Sequence, residues 1–215
     1  MECHADRSPR LHTPKLHSME VSGAYGARAA EYIQLFGEIE AAAEADRVAV
    51  LAWARGITGP VIDVGCGPGQ WTHYLSVHGL DIEGIDPTPE FIEAAQRRYS
   101  GNRFRIGQAE HLDVEDGSLG GILAWYSLIH TDPVEIDAAL TEFARSLCPS
   151  GSLALGFFEG PELLPFGHAV TTAYYWPLNL LSARVEEAGF IVTGAEARKD
   201  RGVRRQGLIL AERRA

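Results

Sequence analysis

The sequence predicts an α/β protein built on a doubly wound, seven-stranded sheet, mostly parallel with one reversed strand and with helices on both faces. Three observations carry that prediction. Short apolar runs that stop at glycine or Asp-Pro alternate with segments of helical periodicity. The stretch VIDVGCGPGQW, residues 61–71, joins the first such run to the helix behind it through a glycine-rich turn. The last two runs are separated only by the connection 198–205, too short for a crossover helix, so they pair antiparallel.

The elements follow in order. Two helices, 24–36 and 40–55, precede the first strand, 61–65. A helix over 70–77 follows the glycines, then a strand over 80–85 that ends at Asp86-Pro87. The helix 89–99 starts behind Thr88, a residue suited to an N-cap, and carries Phe91, Ile92 and Ala95 on one face. Strands over 103–107 and 121–125 come next. The helix 133–147 places Ile136, Leu140, Phe143 and Leu147 at spacings of three and four. A strand over 152–158, a helix over 178–188 stopped by Gly189, and strands over 190–195 and 206–211 complete the set. Residues 21–215 read as one domain behind a disordered tail, 1–20, of polar residues, histidines and prolines.

Composition narrows the function. The chain has 215 residues, 46% hydrophobic and 22% charged, which suits a globular protein. No apolar run approaches the ~20 residues of a membrane span, and 1–19 lacks the apolar core of a signal peptide. The net charge of −10 disfavours nucleic-acid phosphates as partners. The basic C-terminal cluster, Arg198, Lys199, Arg201, Arg204, Arg205, Arg213 and Arg214, reads as a solvated hairpin flank, and anion binding is its second reading. Cys3, Cys66 and Cys148 form no disulfide framework, which points to a reducing cytoplasm. The eight histidines show no zinc-ligand spacing, so no metal site is expected. The choice between monomer and homodimer stays open.

The glycine turn separates two ligand classes. A dinucleotide fingerprint, GxGxxG, needs glycine where Gln70 stands, so that pattern is broken and a nicotinamide-dependent oxidoreductase is disfavoured. Asp63 followed by Gly65, Gly67 and Gly69 instead matches DxGxGxG. From about residue 25 to the C-terminus the sequence resembles the class I S-adenosylmethionine-dependent methyltransferases, whose sheet is Rossmann-like. WYSLIHTDP and FGHAVTTAYYWP are similar to small actinobacterial members.

The resemblance implies a cofactor site. Asp63, Gly65, Gly67, Gly69 and Trp71 would lie beside the methionine part, with Asp63 near its ammonium. Asp86, backed by Pro87, would accept the ribose hydroxyls, about 20 residues after the loop. Gln108, Ala109 and Glu110 would flank the adenine, with Gln108 where the family often has aspartate. Trp125 and Tyr126, at the end of the fourth strand, could attract a sulfonium through their ring faces. Tyr25 would reach the methionine carboxylate, with Arg28 beside it. Plainer readings stand next to these: turn or helix caps for Asp63 and Asp86, a solvated acid for Glu110, a core ring for Trp125.

The resemblance puts the acceptor beyond strands four and five. His130 and His168 are the candidate general bases, since a neutral imidazole can take a proton near neutral pH. Glu159, Tyr174, Tyr175 and Trp176 would line the acceptor pocket, or else belong to a folded surface loop over 159–176. The expected activity is methyl transfer from S-adenosylmethionine to a small-molecule hydroxyl, on a sugar or secondary metabolite, releasing S-adenosylhomocysteine. An amine or carboxylate acceptor is the alternative, and a non-catalytic S-adenosylmethionine-binding module is the alternative of another class.

Overall fold

Inside the sheet, next to its central strand, lies β1, Val61–Val64, with all four residues buried. In a computed structural model describing residues 14–200 and 202–215, β2 (Ile82–Asp86) and β4 (Leu119–Trp125) pair with β1 in parallel on either side. Outward from these come β3 (Arg103–Ile106) on one edge and β5 (Leu147–Phe158) on the other, followed by β9 (Gln206–Arg213) and β8 (Phe190–Arg198). The order is β3-β2-β1-β4-β5-β9-β8, and β9 alone runs against its neighbours. The seven-stranded sheet with one reversed strand is therefore present as the sequence implied.

Alternation along β1 divides the core. Ile62 and Val64 face α6 (Ile136–Ser146) and α7 (Leu178–Glu187), packing with Leu140, Phe143 and Val185. Val61 faces α3 (Glu44–Ala54) and α4 (Gln70–Val77), packing with Val50, Trp53 and Leu75. On that second face, α5 (Pro89–Arg98) seats Ile92 and Ala95 against Phe104 of β3. Strand order reverses between β1 and β4, so the carboxyl ends of these two strands open a crevice. Among the described residues, no helix is long and apolar enough to cross a membrane.

Four segments differ from the sequence reading. Residues 1–13 of the expected tail lie outside the described residues, and α1 already runs over Pro14–Ala27. The single helix expected over 24–36 breaks at Arg28 (φ −119°, ψ 14°) before α2, Ala29–Phe36. Nothing in AYGARAAEY signals that break, because nearly every residue there tolerates a helix. The helix expected over 40–55 begins instead as a 3₁₀ turn, Ile39–Ala41.

The largest difference is at 159–176. It contains an antiparallel hairpin, β6 (Leu164–Gly167) and β7 (Thr172–Tyr175), with Phe166 opposite Ala173. Pro165 and Gly167 break the strand pattern of β6, which hid it in the sequence. Between β3 and β4 no helix covers the sheet. Leu112, fully buried, fills that face instead, and its amide donates to Glu142 Oε1 at 2.7 Å. Arg145 holds that carboxylate at 2.7 Å and keeps it below the ordinary range, which anchors the loop behind Gln108.

Candidate functional site

The glycines of the β1–α4 turn all have left-handed backbone, φ +68°, +55° and +88° at Gly65, Gly67 and Gly69, but they do different things. A Cβ on Gly65 would sit 2.3 Å from Ser127 Cβ, so this glycine lets β1 and β4 end side by side. At Gly67 the nearest atom to a Cβ is 3.9 Å away, leaving its backbone open to the crevice. Gly69 faces inward, where a Cβ would meet Phe104 at 2.7 Å. It is a packing glycine and does not line the crevice.

Two aspartates flank the turn. Asp63 is 1% exposed and accepts from Thr72 Oγ1 at 2.7 Å. Asp86 takes the Gly67 amide on Oδ2 (2.9 Å) and the Thr88 amide on Oδ1 (2.8 Å). Burial pushes the Asp63 carboxyl up to about 7, against the Thr72 hydrogen bond and helped by the charge of Asp86. Burial raises Asp86 to about 6, with the two amides restraining it. An acid whose folded value is raised binds its proton more tightly folded than unfolded. Stability of the ligand-free protein therefore falls as pH rises from about 4 to about 7, and Asp63→Asn should flatten that fall. Thermal melts of both chains between pH 4 and 8 check this, and superimposable profiles would contradict it.

The crevice has a volume of about 830 Å³ and is lined by Asp63, Gly67, Asp86, Trp125, Tyr126 and His130, among others. A second hollow of about 300 Å³ is walled by Gln108, Ala109, Glu110, Leu128 and Val134. Gly65, Pro87, Ser127 and His130 line both, so the hollows meet at the ends of β1 and β4. Tyr126 sits at this junction strand with φ +57°, uncommon for a bulky side chain. Trp71 and Trp125 lie with ring centroids 5.6 Å apart on the crevice wall. Three buried polar atoms of the lining, Gln70 Oε1, Ser127 Oγ and His168 Nδ1, have no protein partner. Buried polar atoms normally find one, so the crevice suits a ligand with several polar groups.

His130, 5% exposed, is held at both ring nitrogens. Its Nδ1 lies 2.6 Å from the Thr172 carbonyl, which can only accept, so Nδ1 carries the hydrogen. Nε2 then accepts from the Tyr25 hydroxyl at 2.9 Å. Burial, with Tyr32 and Asp86 nearby, pushes the Tyr25 phenol far up, so it stays protonated. The ring of His168 stands 5.2 Å from that of His130, and burial together with Arg204 lowers its pKa.

Several residues expected at the site lie elsewhere. Arg28 turns outward to Glu31 (2.8 Å) and the Ala169 carbonyl, tying the α1–α2 break to the hairpin tip. Glu159 pairs with Arg205 and does not line the crevice. Tyr174 donates its amide to the Ile129 carbonyl and packs its side chain on the core. Tyr175 stacks on Phe166 with centroids 4.1 Å apart, and Trp176 is 2% exposed inside the core. Sequence reasoning in turn missed Ser127, Gln70, Phe158 and Arg204, all of which line the crevice. Position after the glycine turn could have signalled Gln70; nothing local marks the others.

A methyltransferase domain family matches residues 61–151. A Mycobacterium bovis protein, described as an uncharacterised methyltransferase, is 33% identical over 95 residues, 44% of this chain and 38% of that protein. A malonyl-acyl-carrier-protein O-methyltransferase from Erwinia billingiae is 28% identical over 120 residues, 56% of this chain and 45% of that one. The chain thus spans less than half the length of these two curated relatives. Among solved structures, a 1,6-didemethyltoxoflavin-N1-methyltransferase from Burkholderia thailandensis, bound to 1,6-didemethyltoxoflavin and S-adenosylhomocysteine, has a TM-score of 0.78. At 19% identity, over 97% of this chain and 93% of that one, the likeness is one of fold. The domain match runs across the glycine turn and both acidic strand ends, and together with these relatives it supports a class I S-adenosylmethionine-dependent methyltransferase family for residues 61–151.

Proposed function

We propose that the protein is a cytoplasmic S-adenosylmethionine-dependent methyltransferase acting on a small-molecule hydroxyl, with His130 taking up the acceptor proton through Tyr25. The observation that carries the cofactor assignment is the crevice bracketed by Asp63 and Asp86, with unpartnered Gln70 Oε1 and Ser127 Oγ in its lining. Asp63 would face the ammonium and Asp86 the ribose hydroxyls. The 300 Å³ hollow at Gln108, Ala109 and Glu110 would take the adenine. When bound, S-adenosylmethionine supplies an electrophilic methyl group on a sulfonium.

The protein's own contribution is alignment and proton management. Trp125 and Tyr126 line the crevice, and an aromatic face turned to a bound sulfonium would favour the cation there. The Thr172 carbonyl fixes the His130 tautomer that leaves Nε2 basic. Because the Tyr25 hydroxyl already donates to Nε2, it can receive a proton from the acceptor while passing its own to the imidazole. His168 is the rival base, favoured by its unpartnered Nδ1. Relatives named for oxygen and for nitrogen methylation keep an amine or carboxylate acceptor as the second reading.

Titration with S-adenosylhomocysteine and with NADH, followed through the fluorescence of Trp71 and Trp125, tests the cofactor. Saturable binding of the first alone is expected. Preference for NADH would overturn the proposal.

A further inference from the structure

The arginines near the C-terminus are not alike. Arg198 lies 2.7 Å from Asp46 and 2.7 Å from Asp200, Arg205 is paired with Glu159, and Arg213 donates to the Leu147 carbonyl at 2.7 Å. Arg204 has no carboxylate partner among the described residues, although the chain carries a net charge of −10. Its guanidinium lies 4.8 Å over the Phe166 ring and 5.9 Å over that of Phe158. Its Nε donates to the Tyr175 hydroxyl at 3.2 Å, and Tyr175 stacks on Phe166. The hairpin therefore holds a cation that no carboxylate among the described residues neutralises. That cation lines the crevice with Phe158, Tyr126 and His168, whose buried Nδ1 has no partner.

We propose that Arg204 is the anion-binding element of the acceptor subsite, and that the acceptor carries a carboxylate beside a planar ring. The inference rests on the methyltransferase reading of the same crevice and names its substrate class. With Nε engaged by Tyr175, the two terminal nitrogens of the guanidinium remain for a bidentate carboxylate. Phe158 and Tyr126, with centroids 5.1 Å apart, provide apolar walls for a ring. His168 Nδ1 offers one further polar contact.

The test uses the full chain saturated with S-adenosylhomocysteine and titrated with 4-hydroxybenzoate and 4-hydroxycinnamate, each against its carboxamide. The carboxylates should bind about tenfold or more tightly than the amides. Arg204→Ala should erase that preference, and Arg204→Lys should keep part of it, because lysine retains the charge without the fork. Arg204 is exposed, so both variants should keep the melting temperature and the S-adenosylhomocysteine affinity of the parent. Amides that bind as well as carboxylates, a preference that survives Arg204→Ala, or no binding by either pair would overturn the inference. Failure of S-adenosylhomocysteine itself to bind would remove the functional reading first, and this inference with it.

Discussion

Asp86→Ala should weaken S-adenosylhomocysteine binding by about a hundredfold or more, since two hydrogen bonds to a charged group contribute about 1.5–3 kcal/mol each. A carboxylate has roughly four acceptor positions. The Gly67 and Thr88 amides use one on each oxygen and the Thr88 hydroxyl also bonds the carboxylate, so a second ribose hydrogen bond would take that hydroxyl's place. The same substitution strands both buried amides, at a cost of about 1–3 kcal/mol each. For a chain of this length that corresponds to a fall in melting temperature of roughly 4–24 °C. Asp86→Asn retains one acceptor oxygen and should recover part of the stability while still binding poorly. Calorimetric titration and thermal melts of the three chains separate the two effects. Affinity within threefold of the parent in Asp86→Ala would remove Asp86 from the cofactor site.

The second large effect concerns Tyr25 and His130. If the proton passes through the phenol to Nε2, Tyr25→Phe and His130→Ala should each lower kcat/KM by about 10²–10⁴. The double variant should be no worse than the poorer single one, because both act on one proton. Tyr25→Phe keeps the ring against Tyr32 and Phe91, at centroid distances of 5.5 and 5.7 Å, so it should fold normally. Multiplicative losses would assign the two residues separate tasks. An enzyme indifferent to both substitutions would point to His168 as the base, or to a carboxylate or an already deprotonated amine acceptor, which needs none.

What could be read from the sequence divides along the crevice. The glycine turn and its two buried aspartates were legible because their signals are local: three glycines, an acid before them, and a second acid at the end of the next strand. Even there Gly69 was misread, since its neighbour is Phe104, far away in sequence on β3. The sheet was legible because apolar runs and their stops are local too. The acceptor side rests on contacts between distant segments. Glu159 looked like a pocket acid until Arg205 claimed it, 46 positions later. Tyr174, Tyr175 and Trp176 have the right chemistry for a pocket, but hairpin pairing sends their rings to the core and to Phe166. Arg204 was visible only as one basic residue among several, because its distinction is a place over Phe166 on the crevice wall, set by a distant hairpin.

The boundary of the matched domain has an evolutionary consequence. Residues 61–151 contain Asp63, Asp86, Gln108 and His130, whereas Tyr25, Phe158, His168 and Arg204 all lie outside them. On the proposed reading the matched segment would carry the donor residues together with His130 and Tyr126, and the flanking segments would bring most of the other parts that meet the acceptor. A change of acceptor could then arise by exchanging the flanks while the shared strands remain as they are. Two homologues alike from β1 to β5 can in this way differ in what they methylate, and their flanks are the place to sort them.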